Sequence, residues 1–182
     1  MTTAMPHALP FARSYWAVPG RILGGFYPGD RDPAVAAGKL NALLDCGVTH
    51  VISLMEPGEK DHAGRLFHDY RAAFLKLASE RRAQAVAMRF PIRDAFVPSV
   101  AEMKATLDAV DSVLAAGNAV YVHCWGGRGR TGTVLGCWMA RHGGRDPLGR
   151  LGQLTAGARE LFGRIPETET QRRFVLEWRT GQ

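Results

Sequence analysis

Cysteine is scarce in this sequence, and long apolar runs are missing. The three cysteines, Cys46, Cys124 and Cys137, form an odd and sparse set. Such a set argues against a disulfide framework and is typical of a reducing compartment. No apolar run approaches the ~20 residues that a membrane-spanning helix requires. Residues 1–13 contain no basic segment followed by an apolar core, which a secretory signal would need. We therefore expect a cytoplasmic protein without a membrane span.

The sequence also lacks the residue patterns of metal and nucleic-acid binding. His62 and His68 are not one helical turn apart, and Cys46 and His50 lie on either side of a predicted helix end, so neither pair has metal-site spacing. The net charge is +6, which suits an anionic substrate, but the arginines are scattered and no basic stripe is interleaved with aromatic residues. We expect no metal, no cofactor and no nucleic-acid partner, and the oligomeric state is left open.

The composition is that of one ordinary globular domain. With 182 residues, 46% hydrophobic and 22% charged, the chain is long enough for one well-packed core. We assign residues 1–13 to an N-terminal tail and 14–182 to the domain. Predicted strands and helices alternate, which favours an α/β fold with a four- or five-stranded, mostly parallel sheet and helices on both faces. Predicted strands lie within Tyr15–Pro28, Val48–Met55, Ala85–Ile92 and Ala119–Val122. Predicted helices follow Asp32, Asp61, Ser99, Arg130, Asp146 and Thr168.

The most informative stretch is Asn118–His142. Ala119–Val122 is an apolar, β-branched and aromatic run that predicts a buried strand, and Thr131–Ala140 predicts a core helix that ends before Gly143. Between them residues 123–130 read His-Cys-Trp-Gly-Gly-Arg-Gly-Arg. Glycines let backbone N–H groups turn inward, and a helix N-terminus adds about half a positive charge. The pattern predicts a phosphate-binding loop between a strand and the core helix.

Two side chains of this loop suggest a reaction. Cys124 lies at its mouth, where the N–H groups and the helix end favour the thiolate, the nucleophilic form of cysteine. Arg130 closes the loop, and its planar guanidinium can hold two oxygens of one phosphoryl group. A nucleophile and a clamp on the same anion predict covalent phosphoryl transfer.

The loop resembles the Cys-x5-Arg-Ser/Thr signature of the cysteine-dependent protein tyrosine phosphatase superfamily. His123, Cys124, Gly127, Arg130 and Thr131 fall on its positions. The resemblance implies a compact phosphatase of the dual-specificity branch, which hydrolyses phosphotyrosine and phosphoserine or phosphothreonine of proteins through a phosphocysteine intermediate. No segment resembles the phosphotyrosine-recognition loop of the larger classical tyrosine phosphatases. The implied phosphate-binding residues are Trp125, Gly126, Gly127, Arg128, Gly129 and Arg130.

Asp94 is the predicted general acid. It lies in the loop after strand Ala85–Ile92, about thirty residues before Cys124, where the resembled superfamily carries its acid. Because the carboxyl ends of parallel strands share one edge of a sheet, this loop opens towards the Cys124 loop. A positioned carboxylic acid that protonates the leaving oxygen contributes ~10²–10⁴ in rate. The weaker alternatives are Glu56, Asp61 and Asp69.

The resemblance also implies supporting residues. The Thr131 hydroxyl would ease departure of the thiolate, and His123 would orient the loop. In the superfamily a Gln-Thr-x-x-Gln stretch positions the hydrolytic water, but this chain has Glu167 in place of the first glutamine, so only Gln171 matches. Its spacing from Thr168 also fits a helix capping box.

Other features leave roles open. Trp125 is either an aromatic residue on the pocket rim that contacts a substrate ring or a packing residue. The loop Glu56–Lys60 leaves the sheet at the same edge as the Cys124 loop. Tensin-type phosphoinositide phosphatases carry a lysine at the position of Arg128, so a phosphoinositide or inositol phosphate phosphatase is an alternative to a protein phosphatase. A solvent-exposed arginine on the loop rim is the other interpretation, and both stay open.

Two rivals fall outside phosphatases. A rhodanese-like sulfurtransferase also uses a cysteine in an anion-binding loop, but it requires neither the Arg130-Thr131 ending nor a general acid. A non-catalytic phosphate-binding module is disfavoured because both Cys124 and Asp94 are present.

Overall fold

The computed structural model describes residues 8–158 and 163–182. Its strands are β1 (Ser14–Val18), β2 (Ile22–Gly25), β3 (Val48–Ser53), β4 (Val86–Arg89) and β5 (Ala119–His123). Its α-helices are α1 (Pro33–Asp45), α2 (Arg71–Glu80), α3 (Val100–Ala115), α4 (Gly129–Arg141), α5 (Pro147–Leu154) and α6 (Glu169–Glu177), and a short 3-10 helix spans Ala156–Ala158.

One five-stranded sheet carries the fold, in the order β1-β2-β5-β3-β4. β1 runs antiparallel to β2, and the other three pairings are parallel. β5 lies in the centre, and its last residue, His123, pairs with Gly25 of β2 and with Ser53 of β3. Three neighbouring strands therefore end at one level, and the segments that follow them meet at that edge.

Side chains of the sheet pack against helices on both faces. Val120 and Val122 of β5 belong to the core cluster that contains residues of α3, α4, α5 and α6. Tyr121, between them, belongs to the opposite cluster, with residues of α1 and α2. This alternation follows from the two-residue period of a strand. The predicted α/β fold, with a mostly parallel sheet and helices on both faces, is confirmed.

Helix starts follow the predicted caps. The Asp32 side chain caps α1. Ser99 and Glu102 form a reciprocal capping box at α3, with bonds of 3.2 and 2.7 Å. Thr168 and Gln171 form another at α6, with bonds of 3.2 and 3.1 Å. Because these bonds join residues only two or three positions apart, spacing alone predicts them.

The helix predicted after Asp61 begins later than expected. Leu66, Tyr70 and Phe74 have helical spacing, but α2 starts only at Arg71. The Asp61 carboxylate instead accepts the backbone N–H groups of residues 63 and 65, both at 2.9 Å, and holds a turn. Such local side-chain bonds compete with helix formation.

Two other helix boundaries differ from the prediction. The core helix α4 begins at Gly129, before the predicted Thr131. The helix predicted from Asp146 to Phe162 ends at Leu154, and residues 159–162 lie outside the described part of the chain.

Phe11 and Arg13 precede the predicted domain boundary but contact the domain. The Phe11 ring packs edge-on against Phe26, with centroids 5.4 Å apart. Arg13 lies 5.3 Å over the same ring and donates a hydrogen bond to the Gly126 carbonyl at 3.4 Å. The boundary at residue 14 stays a prediction. Across residues 8–158 and 163–182, no helix has the length and apolar character needed to cross a membrane.

Candidate active site

A pocket of about 310 Å³ opens where β2, β3 and β5 end. Its walls come from the loop after β5, the start of α4, the loop after β4 and the segment before α6. The residues that line it are Arg13, His62, Asp94, Cys124, Trp125, Gly126, Arg128, Gly129, Arg130 and Glu167. The structure therefore brings together the predicted nucleophile, clamp and general acid.

Cys124 lies directly after β5 and is almost fully buried. The loop from Cys124 to Arg128 is tied to the neighbouring strand ends, since the Trp125 carbonyl accepts from the Tyr27 N–H at 3.0 Å. The Tyr15 hydroxyl donates to the Gly127 carbonyl at 3.4 Å. Burial, and then the charge of Cys124, raise the pKa of that hydroxyl, which stays protonated and able to donate.

Gly127 is required by the loop geometry. Its φ is +74°, in the left-handed region, and a Cβ atom there would lie 2.4 Å from the Gly25 carbonyl carbon. Only glycine avoids both the backbone strain and the clash. The glycine therefore lets the loop approach the end of β2.

Arg130 is anchored from behind by Glu59. Its side chain is 1% exposed, and its Nη1 and Nη2 atoms donate to the Glu59 carboxylate at 2.7 and 2.8 Å. Nη1 also donates to the Ile92 carbonyl at 3.1 Å. Burial opposes the charged form, but the Glu59 hydrogen bonds and the charge of Cys124 outweigh it and raise the pKa of Arg130. The guanidinium is thus held charged and oriented.

Two buried polar atoms beside Cys124 have no hydrogen-bond partner among the described residues. They are Arg130 Nε and Thr131 Oγ1. Buried polar groups are nearly always paired, so such atoms at a pocket mark a place where a ligand or a reacting group supplies the partner. They lie in the first turn of α4, where the helix N-terminus favours an anion.

Asp94 reaches into the pocket from the loop after β4. Its carboxylate is 59% exposed and lies 2.9 Å from Arg130 Nη2. The next residue, Ala95, has a φ of +63°. The start of α6 holds this backbone, since Thr168 Oγ1 donates to the Ala95 carbonyl at 3.4 Å and Gln171 Nε2 donates to the Phe96 carbonyl at 3.2 Å.

Gln171 is fully buried and does not line the pocket. Its amide oxygen accepts the Thr168 N–H, and its amide nitrogen contacts the loop that carries Asp94. Both ends of the amide are therefore engaged. Glu167, at the position that departs from the superfamily pattern, does line the pocket.

His123 lies behind the loop and is fully buried. Nδ1 donates to the Cys124 carbonyl at 3.2 Å, and Nε2 accepts from the Tyr70 hydroxyl. Burial lowers the pKa of His123 to about 3, so the ring is neutral at ordinary pH. It therefore contacts the Cys124 backbone as a neutral hydrogen-bond donor.

Trp125 packs against neighbouring rings and also lines the pocket. Its ring packs edge-on against Phe67 at 5.3 Å and lies 4.3 Å from the His62 ring, between centroids. The same residue lines the pocket together with His62. Arg128 also lines the pocket and forms an ion pair with Glu167.

Sequence reasoning missed Arg13, His62 and Glu167 as pocket residues and Glu59 as the partner of Arg130. Glu59 lies in the loop Glu56–Lys60, which was expected at this edge of the sheet, and an acid in that loop was the available signal. In the described ranges 8–158 and 163–182, no three His, Cys, Asp or Glu side chains are grouped so as to hold a metal ion.

Curated relatives match about half of the chain. An uncharacterised protein of Methanocaldococcus jannaschii is 36% identical over 89 residues, which are 48% of this chain and 56% of the relative. The phosphatidylglycerophosphate phosphatase PTPMT2 of Arabidopsis thaliana is 31% identical over 101 residues, 55% of this chain and 39% of the relative. The chain thus spans about half the length, or less, of these relatives.

Solved structures share the fold over most of the chain. P. aeruginosa TpbA, a cysteine-to-serine variant in complex with pTyr, has a TM-score of 0.64 and 18% identity, over 97% of this chain and 91% of TpbA. PTPMT1 in complex with PI(5)P has a TM-score of 0.60 and 20% identity, over 90% of this chain and 95% of PTPMT1.

A family model covers nearly the whole chain. The model for the phosphatase domain of the PTP-SAK type, described as Swiss Army Knife protein, DSP-PTPase phosphatase domain, matches residues 12–173. This match agrees with the Cys-x5-Arg-Thr loop and with the five-stranded sheet. The chain therefore belongs to the PTP-SAK group of DSP-PTPase phosphatase domains, within the cysteine-dependent protein tyrosine phosphatase superfamily.

Proposed function

We propose that this phosphatase domain hydrolyses phosphomonoesters through a phosphocysteine intermediate on Cys124, acting on phosphotyrosine and on phosphoserine or phosphothreonine of proteins. The observation that carries the proposal is the shared pocket of Cys124, Arg130 and Asp94. A nucleophile, an anion clamp and a carboxylic acid are the three groups that the reaction needs.

In the first step the Cys124 thiolate attacks phosphorus. The S–P bond forms as the bond to the leaving oxygen breaks, and Asp94 gives its proton to that oxygen. Loop N–H groups and Arg130 hold the equatorial oxygens, where negative charge accumulates. Glu59 accepts from both Nη1 and Nη2, Ile92 accepts from Nη1, and Nε has no partner among the described residues. The edge formed by Nε and Nη2 would therefore face the phosphoryl group.

Binding of the phosphoryl group also repositions Asp94. In the free enzyme the Asp94 carboxylate is paired with Nη2 of Arg130. A phosphoryl oxygen at Nη2 takes that partner, and Asp94, which carries the proton that the second step of the preceding turnover returned to it, is released to the leaving oxygen. The rest of the loop stays attached to α6 through Thr168 and Gln171.

In the second step water hydrolyses phosphocysteine. Asp94, now ionised, accepts a proton from the water as its oxygen bonds to phosphorus, and the S–P bond breaks. The departing thiolate takes the hydrogen bond of Thr131 Oγ1, which has no other partner among the described residues. Arg130 again holds the phosphoryl oxygens in the transition state.

Lipid or inositol phosphates are a second candidate substrate class. A relative that is 31% identical over 101 residues bears the name phosphatidylglycerophosphate phosphatase. Hydrolysis of a lipid or inositol phosphate would follow the same steps at phosphorus. The two candidate substrate classes therefore differ only in the leaving group.

The test is phosphate release with a chelator present. We expect hydrolysis of para-nitrophenyl phosphate, and faster hydrolysis of phosphopeptides than of phosphatidylglycerophosphate or phosphatidylinositol phosphates in mixed micelles. Sulfur transfer from thiosulfate to cyanide would support the sulfurtransferase alternative. Phosphate binding without release from any of these esters would support a non-catalytic module. Faster turnover of the lipids would favour the second substrate class.

A further inference from the structure

We propose that the ion pair between Arg128 and Glu167 selects substrates whose phosphate has no second anionic group beside it. This inference rests on the proposed phosphatase function and adds a specificity determinant to it. The sequence left open whether Arg128 favours polyanionic substrates or is a solvent-exposed rim arginine. The structure pairs its guanidinium with a carboxylate on the pocket rim, and this pairing is the reason for expecting the opposite preference.

The geometry holds the pair over the phosphate-binding loop. Both side chains are 40% exposed, and both line the pocket that contains Cys124. The Glu167 carboxylate can lie close to the backbone at the start of α4 because residue 129 is glycine. A Cβ atom at that position would lie 3.2 Å from Glu167 Oε2. The Arg128 side chain bends back over the loop, 3.7 Å from where a Gly126 Cβ would be.

Two of the three arginines that line the pocket, Arg128 and Arg130, contact carboxylates; the third, Arg13, lies over the Phe26 ring and donates to the Gly126 carbonyl. Arg130, which holds the reacting phosphate, contacts the carboxylates of Glu59 and Asp94. Arg128 contacts Glu167. A single dianionic phosphate is therefore accommodated at Arg130, but a second anion beside Arg128 meets a guanidinium that is already paired with Glu167.

A second anion faces two penalties at this rim. It must displace Glu167 from Arg128, and it then lies beside an unpaired carboxylate. Exposed charge contacts are worth up to ~1 kcal/mol, which is about a fivefold change in an equilibrium constant. Glu167→Gln keeps the shape of the side chain, removes its charge and releases Arg128 to bind the second anion.

The experiment compares two phosphotyrosine peptides, one with alanine and one with aspartate on both sides of the phosphotyrosine. In the parent enzyme kcat/KM should favour the alanine peptide. Glu167→Gln should raise the aspartate-to-alanine ratio of kcat/KM about fivefold, and high salt should reduce the shift. In an Arg128→Gln background, Glu167→Gln should raise the aspartate-to-alanine ratio of kcat/KM less. Part of the expected increase requires the Arg128 guanidinium to bind the second anion, and that cation is then missing.

Glu169→Gln is the matched control. Glu169 lies two residues after Glu167, in the first turn of α6, but it pairs with Arg164 and does not line the pocket. It should leave the ratio unchanged. An equal shift in this control would mean that general surface charge, not the pair, selects substrates, and would overturn the proposal. An equal effect of Glu167→Gln on both peptides would overturn it as well.

Peptide binding separates this proposal from the proposed function. In a Cys124→Ser background, dissociation constants for the two peptides measure selectivity without turnover. If the parent hydrolyses neither peptide nor para-nitrophenyl phosphate, the proposed function is wrong. If Glu167→Gln leaves the ratio of dissociation constants unchanged, the ion-pair proposal is wrong whether or not the enzyme turns over.

Discussion

Glu59→Gln tests how Arg130 is held ready for the phosphoryl group. The carboxylate is 11% exposed and makes two charge-assisted bonds to a guanidinium that is 1% exposed. A glutamine of the same shape can accept a hydrogen bond from only one of the two Arg130 nitrogens. Its NH₂ group, itself a donor, would face the other nitrogen. Breaking one partner of a buried ion pair costs ~3–5 kcal/mol.

The expected loss lies below that range because Arg130 keeps other partners. Asp94 and the Ile92 carbonyl remain in contact with its guanidinium. We therefore expect the free energy of unfolding to fall by ~2–3 kcal/mol. For a domain of this size that corresponds to a decrease in Tm of about 4–12 °C. Because a small misplacement of a clamp costs up to ~10²-fold in rate, kcat/KM should fall about 10- to 100-fold.

Thermal unfolding followed by circular dichroism, together with kcat/KM on para-nitrophenyl phosphate, measures both effects. Glu56→Gln is the control, since Glu56 is an exposed carboxylate in the same loop that does not contact Arg130. It should change neither quantity appreciably. A Glu59→Gln variant with the Tm and kcat/KM of the parent would refute the reasoning that Glu59 orients Arg130.

Two further predictions concern Asp94 and His123. Asp94→Asn should reduce turnover of tyrosyl and alkyl phosphates more than that of para-nitrophenyl phosphate, because a better leaving group needs less protonation; equal losses would make Asp94 structural. The pKa of His123 is about 3 in the folded protein and ~6.5 in the unfolded chain. Below pH ~6.5 the unfolded chain therefore gains a proton that the folded protein does not. The free energy of unfolding falls by up to ~1.4 kcal/mol per pH unit as the pH decreases towards 3. Urea unfolding from pH ~7 to ~4.5 should show a shallower decline for His123→Asn than for the parent; parallel declines would mean that His123 does not cause the acid sensitivity.

Local signals made much of the fold predictable from the sequence. The caps at Asp32, Ser99 and Thr168 depend on residues within one turn, and they formed as predicted. The strand, glycine loop and core helix around Cys124 are likewise contiguous. The helix predicted after Asp61 started too early for a local reason as well. The Asp61 carboxylate accepts a backbone N–H group two residues further on, and this bond competes with helix formation.

The pairs that complete the site lie too far apart in sequence for such reasoning. Glu59 and Arg130 are 71 positions apart, and Arg128 and Glu167 are 39 apart. Sequence spacing does not show which carboxylate contacts which basic side chain, because the chain has 23 lysine and arginine residues. Only the shared edge of the sheet, where the strand ends meet, brings these side chains together. The same is true of the contact between Gln171 and the Asp94 loop.

The central claim is that Cys124 carries the phosphoryl group, and trapping that intermediate tests it most directly. The parent enzyme would be mixed with a labelled phosphotyrosine peptide, quenched in acid within one turnover and analysed by peptide mass spectrometry. We expect the label on Cys124 in the parent, with no label and no turnover for Cys124→Ser, because a serine hydroxyl is not ionised at neutral pH. Label on another residue, or near-parental turnover by Cys124→Ser, would contradict the account.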